Sequence, residues 1–316
     1  MKVTVVVRTY NRPEFLKEAL ASIHLQTHTD WEVLIFDDGA TNMNFDTYRH
    51  FKSINLDKRI LYLTTNEPYD LFGNSWLIAP DVATGEIIVR LDDDDLLAKD
   101  SLEFLSNLYE QNPELEFSYG SCARFDKNQI TEIIQTSSPN EIGKTRDAWA
   151  AYTIPNNHPW GEPWAFYKDF YAEPQNWTSI IHCAKSNIMC IFHTYVMRTA
   201  AVKRVKDKIT ITSNFVDDLE MMGSLDYLGL GHASVKKILT YVRTHNQGRV
   251  TDNGKEVNGA NIYGENFRIR DKVDHLRTSG FISKVIPLSS TDNFNNGITD
   301  ELKEEFDIYY NRIKEL

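Results

Sequence analysis

The chain has 316 residues, 41% of them hydrophobic and 25% charged, with a net charge of −11 at pH 7. That balance is ordinary for a globular protein, and the length suits one large α/β domain or two smaller units. The negative charge argues against holding nucleic acid or an anionic membrane by bulk electrostatics, and no apolar run is long enough to span a bilayer.

The N-terminus enters a strand directly, without a secretory leader pattern. Cys122, Cys183 and Cys190 are few and lack C-x-x-C spacing, which fits a reducing, cytoplasmic setting better than a disulfide scaffold. Val3-Thr4-Val5-Val6-Val7 reads as a strand buried on both faces of a parallel sheet. Pro13 opens a helix, and Leu16, Leu20 and Ile23 recur at helical spacing. Trp31 to Phe36 is a second strand that stops at the turn signal Asp37-Asp38-Gly39. Arg59 to Leu63 is a third. A helix is expected over Asn74 to Ala83, with Gly85 near its stop. Ile87 to Leu91 is a further strand. Asp100-Ser101-Leu102-Glu103 has the form of a capping box ahead of a helix carrying Leu102, Leu105 and Leu108.

Strands alternating with helices over the first 110 residues or so predict an open α/β sheet, in which ligands bind beyond the carboxyl ends of the strands. Three polar clusters fall at such ends: Arg8-Thr9-Tyr10-Asn11, Asp37-Asp38-Gly39 and Asp92-Asp93-Asp94-Asp95. Four adjacent carboxylates repel one another, and a hard divalent cation, Mg²⁺ or Mn²⁺, relieves that repulsion. Read alone, the run is equally a solvated acidic turn. From about 139 to 178, prolines alternate with Trp149, Trp160, Trp164 and Trp177, as in a long substrate-facing insert. Residues 186 to 205 return to the core with Ile188, Ile191, Val196 and Val202. The polar tail ends in a helical, peripheral segment, Asp300 to Leu316. No internal repeat is visible.

Four segments together resemble the family 2 glycosyltransferases of the GT-A fold. They are Val5-Val6-Val7-Arg8-Thr9-Tyr10-Asn11-Arg12, Leu34-Ile35-Phe36-Asp37-Asp38-Gly39-Ala40-Thr41, Ala83-Thr84-Gly85-Glu86-Ile87-Ile88 and Leu91-Asp92-Asp93-Asp94-Asp95. Phe215 to Met222 resembles the family's acidic pair before an apolar helix, although Asp217 stands where Glu is more usual. Tyr241 to Arg249 resembles the segment after the last core strand.

The resemblance implies an open, mostly parallel Rossmann-like sheet flanked by helices. It implies a glycosyltransferase domain over 1–250, with a nucleotide-sugar half (1–125) and an acceptor half (126–250), and a C-terminal extension over 251–316. The implied activity is metal-dependent, inverting hexosyl transfer from a UDP-sugar to a glycan or other hydroxyl. Thr9, Tyr10, Asp38, Asp92, Asp93 and Arg249 are the implied donor contacts. Asp94 and His245 are the implied ligands of Mn²⁺ or Mg²⁺, and Asp218 is the implied general base. Ser75-Trp76-Leu77 departs from the family's Ala-Arg-Asn run, so Arg90, Arg243 or Arg249 is expected to replace the missing arginine. A sugar-phosphate nucleotidyltransferase is disfavoured because no glycine precedes Gly39. A non-catalytic nucleotide- or glycan-binding module is disfavoured by the intact acidic residues. Sugar, acceptor and oligomeric state stay open.

Overall fold

The computed structural model describes residues 1–10, 12–37, 57–64, 70–134, 195–209, 221, 225, 230–245 and 298–316. Four parallel strands form one half of the sheet: β1 (Val3–Thr9), β2 (Trp31–Asp37), β3 (Ile60–Thr64) and β4 (Ile87–Asp92). Helix α1 (Pro13–His24) links β1 to β2, and α2 (Asp70–Val82) precedes β4. The apolar runs follow from burial on both faces. Val3, Val5 and Val7 pack with α1 residues Leu16, Leu20 and Ile23. Val6 packs on the opposite side with Trp76 and Ala79 of α2. Gly85 crosses the start of β1 so closely that a Cβ would lie 2.5 Å from Thr4 Oγ1 and 2.6 Å from the Thr4 nitrogen. Only glycine fits that approach.

The chain continues through β5 (Leu96–Leu97), α3 (Ser101–Gln111), β6 (Phe117–Asp126), β7 (Gln129–Ile134), β8 (Tyr195–Arg198), α4 (Thr199–Val205) and β9 (His232–Arg243). The strand order among the described residues is β3-β2-β1-β4-β8-β6-β9-β5, with β7 alongside β6. β8 pairs antiparallel with β4 and β6, while β6 and β9 run parallel. Val196 and Val202 are buried, as expected of a return to the core, while Ile188 and Ile191 lie outside the described residues.

The last helix, α5 (Asp300–Glu315), forms where expected, and Thr299 caps it by accepting from the Leu302 nitrogen. It lies at the edge of the fold but is firmly docked. Phe306, Tyr309, Tyr310 and Ile313 are buried against Leu96, Phe125 and Tyr241. The Tyr309 hydroxyl is shared between the Ser22 and Leu97 carbonyls, at 3.0 and 2.8 Å. The expected capping box at Asp100 does not form. Asp100 holds the N-cap position without a side-chain cap bond, and its carboxylate instead accepts from Lys237 Nζ at 2.7 Å. Glu103 accepts from Thr27 Oγ1. Long-range partners on β9 and after α1 outcompete the local bonds.

Candidate active site

β2 and β3 extend the sheet to one side of β1, and β4 lies on the other. The carboxyl ends of β1 and β4 therefore border a topological switch point, where open α/β sheets bind ligands. Arg8 and Asp92 are register partners there. The chain then turns sharply, with the Asp95 nitrogen donating to the Asp92 carbonyl at 3.1 Å. This turn gathers Asp92 to Asp95 against residues from β1, α1 and β9.

Each carboxylate of the turn has its own surroundings. Arg90 grips Asp92 through two bonds of 3.0 Å from Nη2, and Arg8 Nη2 lies 3.6 Å from the same carboxylate. Asp93 is buried and accepts from Thr9 Oγ1 at 2.8 Å and Arg12 Nη1 at 3.1 Å. Arg12 Nη1 also bonds Asp94, and His245 Nε2 lies 3.0 Å from the same Asp94 oxygen. Asp95 accepts from the Arg243 nitrogen at 3.0 Å. Burial, and then the charge of Asp94, pushes the Asp93 carboxyl well above the usual carboxylate range, against the pull of Arg12 and Thr9. Burial alone would lower the Arg12 pKa, but Asp93, Asp94 and Asp92 together raise it.

One oxygen each from Asp92, Asp94 and Asp95 lies within 4.8 Å of the others. Carboxylate oxygens at this separation, with an imidazole nitrogen beside them, are the donor set of a hard or borderline divalent cation. The residues present fit Mn²⁺ or Mg²⁺.

The structure brings together the predicted residues Thr9, Asp92, Asp93, Asp94 and His245, and Tyr10 follows Thr9 at the end of β1. Thr9 is buried and spends its hydroxyl on Asp93. Asp38, Asp218 and Arg249 lie outside the described residues, as do Asp217 and the Trp-rich insert. Asp37, just before Asp38, is buried and accepts a bond from the Tyr62 hydroxyl.

Ser75-Trp76-Leu77 of α2 stands where the family's Ala-Arg-Asn run is expected. Trp76 is fully buried, and the Arg8 and Arg90 guanidinium carbons sit 5.5 and 5.7 Å from its ring centroid. The cations come from β1 and β4 over an aromatic bed. Arg90, named from the sequence as one of the replacements, stands two residues before Asp92 on one strand and so shares its face. The partners of Arg243, Glu18 and Tyr310, carry no sequence signal, since they lie 225 and 67 residues away along the chain.

The glycosyl transferase family 2 profile matches residues 4–173. An uncharacterized glycosyltransferase of Rickettsia felis is 37% identical over 137 residues, which are 43% of this chain and 22% of that protein. The chain therefore aligns with about a fifth of that relative's length. The S. aureus TarS 1–349 structure in complex with UDP-GlcNAc superposes with a TM-score of 0.54 at 17% identity, covering 86% of this chain and 66% of that one. The mannosyltransferase PcManGT from Pyrobaculum calidifontis, in complex with GDP-Man and Mn²⁺, gives a TM-score of 0.52 at 16% identity, covering 89% and 66%. No described helix is long and apolar enough to cross a membrane. With more than half of its length matched, and with the sheet of these GT-A-type structures, the chain belongs to glycosyl transferase family 2.

Proposed function

We propose that the chain transfers a hexose from a UDP-sugar to an acceptor hydroxyl, with inversion at the anomeric carbon, using a divalent cation. The observation that carries this reading is the meeting of Asp92, Asp94 and Asp95 at the switch point between β1 and β4, with His245 beside Asp94. The nucleotide sugars in the TarS and PcManGT structures, and the Mn²⁺ in the latter, support it.

In this reading Asp94 and His245 hold the cation, and Asp92 meets the donor ribose. When bound, the cation supplies positive charge against the diphosphate that departs as the anomeric bond breaks. Thr9 and Tyr10 border the nucleobase, and Asp38 accepts the uracil N–H. Asp93, tied to Thr9 and Arg12, keeps the donor side of the turn in shape. Arg249 reaches the phosphates. Asp218 takes the proton from the acceptor hydroxyl as its oxygen attacks. A single displacement then inverts the configuration.

The test is slow donor hydrolysis. Purified protein is incubated with a panel of UDP- and GDP-sugars in Mn²⁺, and released nucleotide is followed. UDP release that chelator stops upholds the reading. Release that persists in chelator, or that is confined to GDP-sugars, refutes the cation or the uridine assignment respectively.

A further inference from the structure

Arg243, the last residue of β9, donates from all three guanidinium nitrogens and from its backbone nitrogen to groups of the protein. The nitrogen donates to Asp95 at 3.0 Å, and Nε donates to the Asp94 carbonyl at 3.0 Å. Nη1 donates to the Tyr310 hydroxyl at 2.9 Å, and Nη2 bonds Glu18. The Tyr310 hydroxyl in turn donates to Glu18 at 3.0 Å. The guanidinium carbon lies 5.0 Å from the Phe15 ring centroid and 4.6 Å from that of Phe125. One planar, five-donor head thus ties the acidic turn to α1 and to α5.

We infer that Arg243 is a positioning residue that fixes the shape of the Asp92–Asp95 turn, and that α5 sets Arg243 through the Tyr310 hydroxyl. The sequence left Arg243 open as a replacement for the family's missing arginine. Its geometry is that of a brace, because each of the three guanidinium nitrogens already donates to the turn, Glu18 or Tyr310. The C-terminal helix then belongs to the donor site although it contributes no ligand. Tyr310 is the point of control: its hydroxyl accepts from Arg243 and donates to Glu18, closing a three-membered ring of polar groups. Its aromatic ring stacks on Phe306 at 5.5 Å, so loss of the hydroxyl leaves the packing in place. The consequence for cation affinity rests on the proposed role of Asp94. The brace itself does not.

The experiment uses the full chain and three variants: Tyr310→Phe, Arg243→Lys and Ile313→Val. Ile313 is buried on the same helix and loosens its docking without touching the polar ring. Two quantities are measured. One is hydrogen exchange in peptides spanning residues 92–97 of the metal-free protein, which reads the Asp95 amide bond to Asp92. The other is Mn²⁺ affinity by calorimetry. Tyr310→Phe is expected to speed exchange in the turn at least about threefold, by local opening. It should weaken Mn²⁺ binding about 10-fold, and Arg243→Lys about 10–100-fold, the range for groups that orient metal ligands. Ile313→Val should change neither. Wild-type exchange and affinity in Tyr310→Phe would overturn the inference, as would equal effects from Ile313→Val. If the wild-type protein binds no Mn²⁺, the cation reading falls, and the exchange data alone uphold or overturn the brace.

Discussion

Replacing Asp94 by Asn separates the fold from the proposed cation site. At an effective dielectric of about 20, two carboxylates within 4.8 Å repel by about 3.5 kcal/mol. Asp94 faces Asp92 and Asp95 at that range, so its charge costs about 7 kcal/mol in repulsion. Its contact with Arg12 offsets this by a similar amount, about 7 kcal/mol on the same scale. Asparagine keeps an oxygen for Arg12, and Arg12 keeps Asp93 at 3.1 Å. The metal-free variant should therefore lie within about 2 kcal/mol of wild type, a Tm change of no more than about 4 °C. Cation binding should behave quite differently. At a Mn²⁺ concentration 100-fold above Kd, the wild-type fold gains about 2.7 kcal/mol, or about 5 °C. Asp94→Asn should gain none of it. Thermal melts of both proteins in chelator and across a Mn²⁺ titration give the comparison. A variant that collapses in chelator, or that shows the full Mn²⁺ shift, would refute the reasoning.

Three further predictions concern other residues. Burial raises the Glu32 pKa, but bonds from Thr84, Lys2 and Thr4 outweigh it and bring the carboxyl down to about 2 from 4.5. Its stabilisation is therefore complete above pH 4.5 and fades as the pH falls toward 2. Allowing for solvent at the Lys2 end, Glu32→Gln should cost about 2 kcal/mol at pH 7. Denaturant unfolding should find that gap narrowing from pH 5 to pH 3, whereas a constant gap would contradict the linkage. Gly85→Ala drives a Cβ against the Thr4 backbone and should cost about 1–3 kcal/mol, read as a lower unfolding midpoint with an unchanged slope. Asp218→Asn should bind UDP and Mn²⁺ nearly normally yet transfer sugar at least about 100-fold more slowly. Unchanged turnover in that variant would pass the base role to another carboxylate.

Much of the parallel half of the sheet was legible because its signals are local. β1, β2 and β4 are continuous apolar runs, and the structure covers both their faces with helices. The acidic turn was legible for the same reason, since its four carboxylates are adjacent in sequence. β6 and β9 were harder to read. Ser121 interrupts the alternating apolar face of β6 (Phe117, Tyr119, Ala123, Phe125), and Lys237 interrupts that of β9, so neither shows an unbroken period of two. Asp100 and Glu103 misled through a local capping pattern, because Lys237 and Thr27 lie far off in sequence. The Glu18–Arg243–Tyr310 ring depends wholly on tertiary approach. A single sequence carries no trace of such a pairing until the docking of α5 brings the residues together.

The most direct measurement is calorimetric titration of UDP and GDP into the full chain, in Mn²⁺ and again in chelator, with Asp38→Ala alongside. The account predicts that UDP binds in Mn²⁺ and more tightly than GDP. Chelator should weaken UDP binding by at least about 10-fold. Asp38→Ala should lose about 1.5–3 kcal/mol of it, the range for a hydrogen bond to a charged group. Equal UDP affinity with and without Mn²⁺, or tighter binding of GDP, would contradict it.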